Sequence, residues 1–318
     1  MDDFKEFFVS QKGDQDFETI GEALGAAKNF SDKEGIIHIQ AGVYNERLVV
    51  NQDHVTFMGV EGKTIITYND YALEILSDGI KRGTFRTPSV FIDADFFKAY
   101  YITFENSAGQ GDKAGQALAV YADGDHLQFE GCRFLGHQDT LFCAPLPLKE
   151  KEPGGFRGPK EFAPRKLGKH YYKDCYIEGN VDFIFGGATA YFENCEIFMK
   201  NKEGDVKGYV TAPSTFEEVP FGFVFYKCKF TSDCPDRSAY LGRPWREYAK
   251  TVILESEIGP HIKEEGFHDW NKKDAWDKMF FAEYKNTGIG ATGNRAPFVH
   301  RLSDEEALKY TKENVLGW

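Results

Sequence analysis

One carboxylate of the sequence stands in an unusually apolar segment. Asp182 lies in GNVDFIFG (179–186), flanked by Val, Phe and Ile, in a strand pattern that should be buried or line an apolar cleft. Because an unpaired charge there is costly, we expect a cationic partner. Arg243 of YLGRPW is the candidate, since a guanidinium is always charged and would keep the carboxylate ionised and fixed in direction. The alternative is a purely structural ion pair.

A second acidic residue follows a glutamine in GHQDTLF (136–142). If Asp139 folds near Asp182, repulsion should make it hold a proton more readily, and two carboxylates in different protonation states suit an acid and a nucleophile. Gln138, and Gln116 of GQALAV, each offer a neutral amide donor suited to an oxyanion. Taken alone, such a glutamine is more often a residue whose side-chain hydrogen bonds hold a loop in place.

The motifs of the commonest hydrolases and nucleotide enzymes are absent from the sequence. It contains no GxSxG nucleophile elbow, no HExxH zinc motif, no Walker loop and no dinucleotide fingerprint. No CxxC pair indicates a bound metal. The candidate chemistry therefore rests on carboxylates and amides.

A short repeat indicates the elements that would position these residues. Each copy has an aromatic residue, two further residues, a cysteine, one residue and then Ile or Phe, within an alternating apolar pattern. The copies are FEGCRF (129–134), YKDCYI (172–177), FENCEI (192–197), FYKCKF (225–230) and, with Tyr100 in place of the cysteine, FKAYYI (97–102). They start 32, 43, 20 and 33 residues apart, which is typical of a coil of constant core with loops of variable length. We predict an all-β fold, a single-stranded parallel β-helix.

The shortest step places Cys175 and Cys195 at one position of neighbouring coils. If about 20 residues make one turn, the two are about 4.8 Å apart in the stacking direction, within the Cα separation that a disulfide spans. They could equally be two buried thiols stacked inside the solenoid, because the redox compartment is unknown.

Both ends of the chain carry helical patterns that could cover an open coil. Residues 16–30 form an amphipathic pattern, and residues 303–317 begin with a Ser-x-x-Glu capping box. Such covers protect the sheet edges of a terminal coil from aggregation. We therefore predict one elongated domain, 1–318, with an N-terminal cap helix and a C-terminal helical cap.

Composition limits the partners. The net charge of −12 argues against nucleic acid or an anionic membrane surface, since both need a basic footprint, and it otherwise favours solubility. No apolar run approaches the roughly 20 residues that a membrane helix requires. The acidic start MDDFKEFF lacks a signal-peptide pattern, so we expect a cytoplasmic protein or an exported one supplied without its leader.

These segments together resemble the pectin methylesterases, a family of right-handed parallel β-helix carbohydrate esterases. The resemblance is carried by FVSQKGDQDFETIGEAL (8–24), IIHIQAGVYNERLVV (36–50), GTFRTPSVFIDADFF (83–97) and YLGRPWREYAKTVILES (240–256). It implies hydrolysis of methyl esters of galacturonate units in pectin or oligogalacturonides, with release of methanol and with no metal or organic cofactor. It also favours a monomer.

The resemblance implies catalytic roles for five polar residues. They are Asp182 as the nucleophile, Asp139 as the general acid and then base, Gln138 as the main oxyanion donor, Gln116 as a second donor, and Arg243 as the group that orients the nucleophile.

Four apolar or aromatic residues are expected to contact the substrate by the same resemblance. They are Trp245, which would offer a ring face to a sugar, Phe185, Phe142 and Val181. Cys175 and Cys195 match a disulfide of some bacterial members. His137 stands where the family usually has Tyr, which leaves the catalytic residues intact but could alter packing or the response to pH.

A long loop is the second departure from the family pattern. Residues 143–170 are rich in Pro, Gly and Lys and carry seven Lys or Arg against three Glu. Because this loop leaves the coil just after Phe142, it could lie over the cleft and help to hold galacturonate carboxylates beside the reactive ester. A solvated surface loop is the alternative.

Two other functions remain compatible with the sequence. One is a related esterase or thioesterase that acts on a different acyl group, because a fold does not determine a substrate. The other is a non-catalytic carbohydrate-binding β-helix, or a lyase of similar architecture. A lyase would release unsaturated sugars and no methanol.

Overall fold

The chain is built almost entirely from short strands. The structure, a computed structural model, describes residues 4–318. The strands in chain order are β1 (Phe4–Val9), β2 (Glu34–Ile39), β3 (Gly42–Asn45), β4 (Leu48–Val50), β5 (Val55–Met58), β6 (Thr64–Tyr68), β7 (Val90–Asp93), β8 (Lys98–Tyr100), β9 (Thr103–Asn106), β10 (Val120–Asp123), β11 (Leu127–Glu130), β12 (Arg133–Leu135), β13 (Leu141–Cys143), β14 (Lys169–Lys173), β15 (Tyr176–Gly179), β16 (Val181–Gly186), β17 (Thr189–Glu193), β18 (Glu196–Met199), β19 (Gly208–Pro213), β20 (Phe223–Tyr226), β21 (Lys229–Ser232), β22 (Ala239–Gly242), β23 (Lys250–Leu254), β24 (Glu257–Ile258), β25 (Phe280–Tyr284) and β26 (Val299–Arg301).

Helices are few and short. The α-helices are α1 (Ile20–Ala27), α2 (Gly111–Ala114), α3 (Asp304–Ala307) and α4 (Lys312–Leu316). Single 3-10 turns lie at Lys28–Phe30, Thr84–Arg86, Lys273–Ala275, Ile289–Ala291 and Leu308–Tyr310. In residues 4–318, no helix is long and apolar enough to cross a membrane.

The strands form three sheets that share one axis. The eleven-stranded sheet has the order β1-β2-β5-β8-β11-β14-β17-β20-β23-β25-β26, the seven-stranded sheet β22-β19-β16-β13-β10-β7-β4, and the eight-stranded sheet β24-β21-β18-β15-β12-β9-β6-β3. Neighbouring strands run parallel, and successive coils such as β14-β15-β16 and β17-β18-β19 give one strand to each sheet. The predicted parallel β-helix is confirmed.

The repeat marks one corner of each coil. Its aromatic residues stack inside the helix, with ring centroids 4.9, 4.6 and 4.5 Å apart along the series Phe129, Tyr172, Phe192 and Phe225. The residue before each cysteine turns the chain in the left-handed region, with φ of 62°, 52°, 52° and 53° at Gly131, Asp174, Asn194 and Lys227. Gly, Asp and Asn adopt this conformation at the lowest cost.

The predicted alignment of residues 97–102 with the repeat is wrong, because it begins two residues too early in the chain. Phe129 pairs with Ala99, and Glu130 pairs with Tyr100, so Tyr100 lies outside the cysteine position. The backbone N–H of Arg133 bonds to the carbonyl of Ile102, which places Ile102 beside Cys132. This coil therefore begins its repeat at Ala99, with aliphatic residues where the later coils have an aromatic ring and a thiol.

The cysteines of the repeat are stacked thiols in the structure, which is the alternative that the sequence left open beside a disulfide between Cys175 and Cys195. All six cysteines are free. The Cys175 thiol donates to the Phe129 carbonyl of the preceding coil at 3.4 Å, and the Cys195 thiol to the Tyr172 carbonyl at 3.5 Å. Because the coils are in register, both side chains point the same way, and each sulfur meets a backbone acceptor of the coil before it.

The N-terminal cap pattern forms a shorter helix than predicted. Helix α1 begins at Ile20 because Thr19 and Glu22 form a capping box ahead of it. Its buried face, which includes Ala23 and Leu24, packs into the main core.

The C-terminal pattern of residues 303–317 divides into three pieces. Ser303 and Glu306 form the expected capping box, but Thr311 adopts an extended backbone and separates the last helix from the preceding turns. The buried Val315 and Leu316 pack with Tyr191 on the outer face of the eleven-stranded sheet, over β14 and β17.

The long loop runs between β13 and β14 without strands, and much of it is held in place by its own contacts. Arg165 donates to four backbone carbonyls within the loop, including those of Pro147 and Lys160. Lys160 contacts Asp93 at 2.5 Å and Asp123 at 3.4 Å, which anchors the loop on the seven-stranded sheet.

Candidate active site

The five predicted catalytic residues meet at the seven-stranded sheet. They come from neighbouring coils: Gln116 precedes β10, Gln138 and Asp139 precede β13, Asp182 lies in β16, and Arg243 follows β22. All five line one cavity of about 490 Å³. Because the strands are parallel and in register, corresponding strand ends lie side by side, and Asp182 and Arg243, 61 positions apart in the chain, come into contact.

Asp182 and Arg243 form a two-point ion pair. Arg243 Nε donates to Asp182 Oδ1 at 2.9 Å, and Nη2 donates to Oδ2 at 2.7 Å. The guanidinium lies between two aromatic rings, with Cζ 3.9 Å from the Tyr209 centroid and 3.7 Å from the Trp270 centroid. This clamp orients the carboxylate and leaves the guanidinium little freedom to turn.

The two carboxyl groups differ in how readily they ionise. Burial raises the pKa of Asp182 above its ordinary value, and the charge and hydrogen bonds of Arg243 oppose this rise. Burial raises the pKa of Asp139 well above its ordinary value, the negative charge of Asp182 raises it further, and Arg243 offsets only part of the effect. When the pair holds a single proton, that proton therefore belongs on Asp139.

The backbone at both carboxylates is unusual. Asp139 has φ of 61° and Asp182 has φ of 51°, in the left-handed region that non-glycine residues seldom adopt. The register of β16 against β19 also shifts between Val181 and Ile184, and the Asp139 N–H bonds to the Val181 carbonyl at 3.0 Å. Strained conformations of this kind persist where the surrounding structure holds them and often occur at functional sites.

The two glutamine side chains are free to bind a ligand. Among residues 4–318, neither side-chain amide has a protein hydrogen-bond partner, and the backbone carbonyl of Gln138 accepts from the Ala117 N–H at 3.1 Å. Gly111, at the start of α2, makes room for the Gln138 side chain, because a Cβ there would lie 2.6 Å from Gln138 Oε1. A free amide at a fixed place suits an oxyanion donor.

The predicted substrate-contacting residues are divided between the cavity wall and the layer behind it. Phe185 and Trp245 line the cavity. Phe142 is fully buried behind it, 4.7 Å from Phe185 between ring centroids, and neither Phe142 nor Val181 lines the cavity. The Trp245 ring is itself partly covered, since the Arg246 guanidinium carbon lies 4.8 Å from its centroid.

Several residues of the cavity wall were not predicted. Four come from the long loop (Lys151, Glu152, Gly155 and Phe156), and others come from separate coils (Thr84, Phe85, Ala212, Arg246 and Trp270). Thr84 and Phe85 lie inside a segment that carried the family resemblance, and Arg246 directly follows YLGRPW. These residues could have been inferred because they are close in sequence to motifs that were already identified. The loop residues have no periodicity that could have identified them.

His137 packs beside the catalytic segment and does not line the cavity. Burial lowers its pKa to about 4, and the nearby Lys200 acts in the same direction. Its Nε2 lies 3.3 Å from Lys200 Nζ, and its carbonyl accepts from the Asn180 N–H at 2.9 Å. It therefore packs as a neutral residue beside the catalytic segment.

The chain is a three-sheet parallel β-helix with a carboxylate pair in a cleft, and its similarities to known proteins identify the class of enzyme and the family. The model of the Pectinesterase family matches residues 6–146 and 165–317. Pectinesterase 31 of Arabidopsis thaliana is 33% identical over 308 residues, which cover 94% of this chain and 88% of that protein. This chain belongs to the pectinesterase family, and it is an enzyme of the carboxylic ester hydrolase class.

Solved structures agree with this assignment. A pectin methylesterase from carrot has a TM-score of 0.83 at 29% identity, over 98% of this chain and 92% of that one. A pectin methylesterase in complex with a hexasaccharide has a TM-score of 0.80 at 29% identity, over 98% and 97% of the two chains. This chain spans about half the length of some relatives, such as 51% of a pectinesterase/pectinesterase inhibitor protein of Arabidopsis thaliana.

The family match stops at the long loop. Residues 147–164 lie outside the two matched stretches, and we call them the insert. The insert supplies Lys151 and Phe156 to the cavity wall. One side of the cleft is therefore made by residues that lie outside the two stretches matched by the family model.

Proposed function

We propose that this chain hydrolyses methyl esters of galacturonate units in pectin or oligogalacturonides and releases methanol. The observation that carries the proposal is the buried pair of Asp182, held at two points by Arg243, and Asp139, whose pKa is raised well above the ordinary value. Arg243 fixes the direction of the Asp182 carboxylate, and a single proton held by the pair belongs on Asp139. Family membership supports the methyl ester as the substrate.

In the first half of the reaction, Asp182 attacks the ester carbonyl carbon. The carbonyl oxygen becomes negative in the tetrahedral intermediate, and the amide of Gln138 donates a hydrogen bond to it, with Gln116 as a second donor. Asp139 gives its proton to the departing methoxide, so methanol leaves and an anhydride joins Asp182 to the galacturonyl group.

In the second half, water replaces methanol. Asp139, now ionised, removes a proton from water, and the hydroxide adds to the galacturonyl carbon of the anhydride. The bond to Asp182 breaks, so Asp182 regains its charge, Asp139 keeps the proton taken from water, and the product leaves as galacturonic acid, which releases its own proton to solvent. Arg243 stays bonded to the departing Asp182 carboxylate and stabilises its charge.

The test is methanol release from highly methylated pectin by the purified chain and by Asp182→Asn. Asparagine keeps the size of the side chain but is a far poorer nucleophile, so we expect the rate to fall by roughly 10³-fold or more. Circular dichroism should show the same fold and a similar melting temperature.

Each alternative outcome has a definite meaning. Methanol release by Asp182→Asn at near the wild-type rate would contradict the assigned nucleophile. An active wild-type protein that forms unsaturated sugars without methanol would indicate a lyase and overturn the proposal.

A further inference from the structure

The Arg243 guanidinium is covered on both faces by aromatic rings. Its Cζ lies 3.9 Å from the Tyr209 ring centroid and 3.7 Å from that of Trp270. Trp270 lines the catalytic cavity, but Tyr209 does not. Because Tyr209 lies outside the cavity wall, its contact with the catalytic residues is the one that it makes with Arg243.

The position of Tyr209 is set by the sheet. Tyr209 of β19 pairs with Val181 of β16, next to the proposed nucleophile, and its N–H donates to the Asn180 carbonyl at 3.0 Å. On the other side it pairs with Tyr240 of β22, and the two rings stack with centroids 5.4 Å apart and planes inclined by 7°. A ring supported in this way presents a fixed flat surface to the guanidinium.

The loop that carries Trp270 is also held in a specific conformation. Trp270 and Asn271 have φ of 54° and 57°, in the left-handed region. The Trp270 N–H donates to His268 Nδ1 at 2.9 Å. The Asn271 N–H donates to Asp269 Oδ1 at 2.9 Å. Backbone strain of this kind persists where surrounding contacts maintain it, and here it places a ring against the second face of Arg243.

The ion pair with Asp182 does not need these rings in the resting enzyme. Two hydrogen bonds of 2.9 and 2.7 Å join the Arg243 guanidinium to the carboxylate, and a two-point pair already fixes its direction. The proposed mechanism removes this restraint for part of the cycle. In the anhydride, Asp182 has lost its charge, so the attraction that holds the guanidinium is weakest at that stage.

A competing charge appears at the same stage. Asp139 has given its proton to methanol and is ionised. Burial and the charge of Asp182 raise the pKa of Asp139, and the charge of Arg243 acts in the opposite direction, so the guanidinium is close enough to attract this carboxylate. If Arg243 turned toward Asp139, it would weaken the base that must take a proton from water. If it stays beside Asp182, it is in place to receive the charge that returns there.

We propose that Tyr209 is a positioning residue that keeps Arg243 beside Asp182 while the anhydride exists, so that water attack proceeds at its full rate. This inference rests on the proposed function, because it concerns an intermediate of that reaction. A ring face suits the task, since it attracts a planar guanidinium whether or not Asp182 is charged, and it restricts the rotation of the group.

The test measures methanol release from highly methylated oligogalacturonide in the first turnover and in the steady state. Tyr209→Leu removes the ring but keeps an apolar side chain on the strand. We expect steady-state kcat to fall roughly tenfold, less than the 10²-fold that misplacement of a reacting group can cost, while the first methanol leaves within about twofold of the wild-type rate. The variant should therefore show a burst of about one methanol per active site, because the anhydride accumulates.

Two variants serve as controls. Tyr209→Phe keeps the ring face and should behave as the wild type. Tyr176→Leu removes another tyrosine ring that covers an arginine, since Arg133 Cζ lies 4.2 Å from the Tyr176 centroid, but this pair lies outside the catalytic cavity. It should leave both rates unchanged. Melting curves establish that the variants are folded, and Tyr209→Met takes the place of Tyr209→Leu if the latter is unfolded.

Three kinetic results would overturn the proposal. They are a wild-type kcat in Tyr209→Leu, a first turnover slowed as much as the steady state, and a Tyr209→Phe variant that behaves like Tyr209→Leu. An effect of Tyr176→Leu as large as that of Tyr209→Leu would likewise show that loss of any such ring slows the enzyme.

A structural measurement does not depend on turnover. Asp182→Asn removes the charge, as the anhydride does, and Asp139 then ionises more readily because the neighbouring charge is absent. Its crystal structure should show Arg243 still between the two rings, whereas Asp182→Asn combined with Tyr209→Leu should show the guanidinium turned toward Asp139. An unmoved guanidinium in the double variant contradicts the proposal. If the wild type releases no methanol, the proposed function is wrong, and these two structures still decide whether Tyr209 holds Arg243.

Discussion

One wall of the cleft is made of strand ends, and the other is made of an irregular loop. On the strand wall, Asp182 and Arg243 neutralise each other through two hydrogen bonds, and neighbouring strands hold their backbones. On the loop wall, Lys151 has no ion-pair partner within residues 4–318. The insert is held in place by hydrogen bonds from Arg165 to backbone carbonyls of the insert.

The difference indicates a division of labour between the two walls. Chemistry needs carboxylates whose direction and charge are fixed before substrate arrives, and parallel strands supply that order. Substrate recognition can use a loop outside the repeating coil, because such a loop can change without disturbing the core. The predictions below test each wall in turn.

The largest of these effects is expected from Arg243→Gln. Removing the guanidinium leaves Asp182 buried without its cation, so the pKa of Asp182 rises and a larger fraction is protonated and inactive. We expect kcat/KM near neutral pH to fall about a hundredfold, as when one partner of a buried charge pair is removed. Methanol release measured from pH 4 to pH 10 gives the profile.

The direction of the change in the pH profile follows from both carboxyl groups. With the proposed roles, the acidic limb should report ionisation of Asp182, and the alkaline limb should report loss of the proton from Asp139. Because Arg243 lowers both pKa values, its removal should move both limbs to higher pH. Arg243→Lys keeps the charge without the fork and should move the limbs less; limbs that stay in place in Arg243→Gln would contradict the assigned roles.

Gly111→Ala should have the next largest effect on the strand wall. The new Cβ would lie 2.6 Å from Gln138 Oε1 and 3.0 Å from Gln138 Cβ, so the glutamine must move. We expect kcat to fall roughly tenfold, less than the 10²-fold or more that complete loss of an oxyanion donor costs.

A double-mutant comparison gives the control for Gly111. In a Gln138→Ala background, the same Gly111→Ala change should cost little, because the side chain that it displaces is already absent. A full additive loss would show that Gly111 acts through another contact, such as the backbone of α2.

The strand wall was largely predictable from local sequence, and the reason is physical. A carboxylate between Val and Phe must be compensated, so Asp182 and its partner could be identified from residue type alone. The coil was predictable because each copy carries its own aromatic residue and cysteine. The copy near residue 99 was misaligned because Ala99 and Ile102 fill the same interior positions as ring and thiol without matching their type.

The loop wall was not predictable in the same way. The sequence does not distinguish the seven cations of this loop from one another. Only the folded structure shows that Lys160 pairs with Asp93 and that Lys151 lines the cavity. The sequence left open whether Cys175 and Cys195 form a disulfide, because their spacing sets their separation but does not show that the coil supplies each sulfur with a carbonyl acceptor.

The smallest effect is expected from Phe156→Ala, which tests whether the insert shapes the cleft. Phe156 is 5% exposed, and its ring centroid lies 6.0 Å from that of Phe85 and 6.3 Å from that of Trp245. Removing the ring should loosen the wall that holds Lys151 and raise KM for methylated oligogalacturonide about fivefold, close to 1 kcal/mol, while kcat changes less.

Phe162→Ala is the matched control, because Phe162 belongs to the same insert and is 92% exposed. If both variants keep the wild-type KM, the insert is only a surface addition; if Phe156→Ala instead lowers kcat as strongly as Gly111→Ala, the two walls cannot be separated into chemistry and recognition.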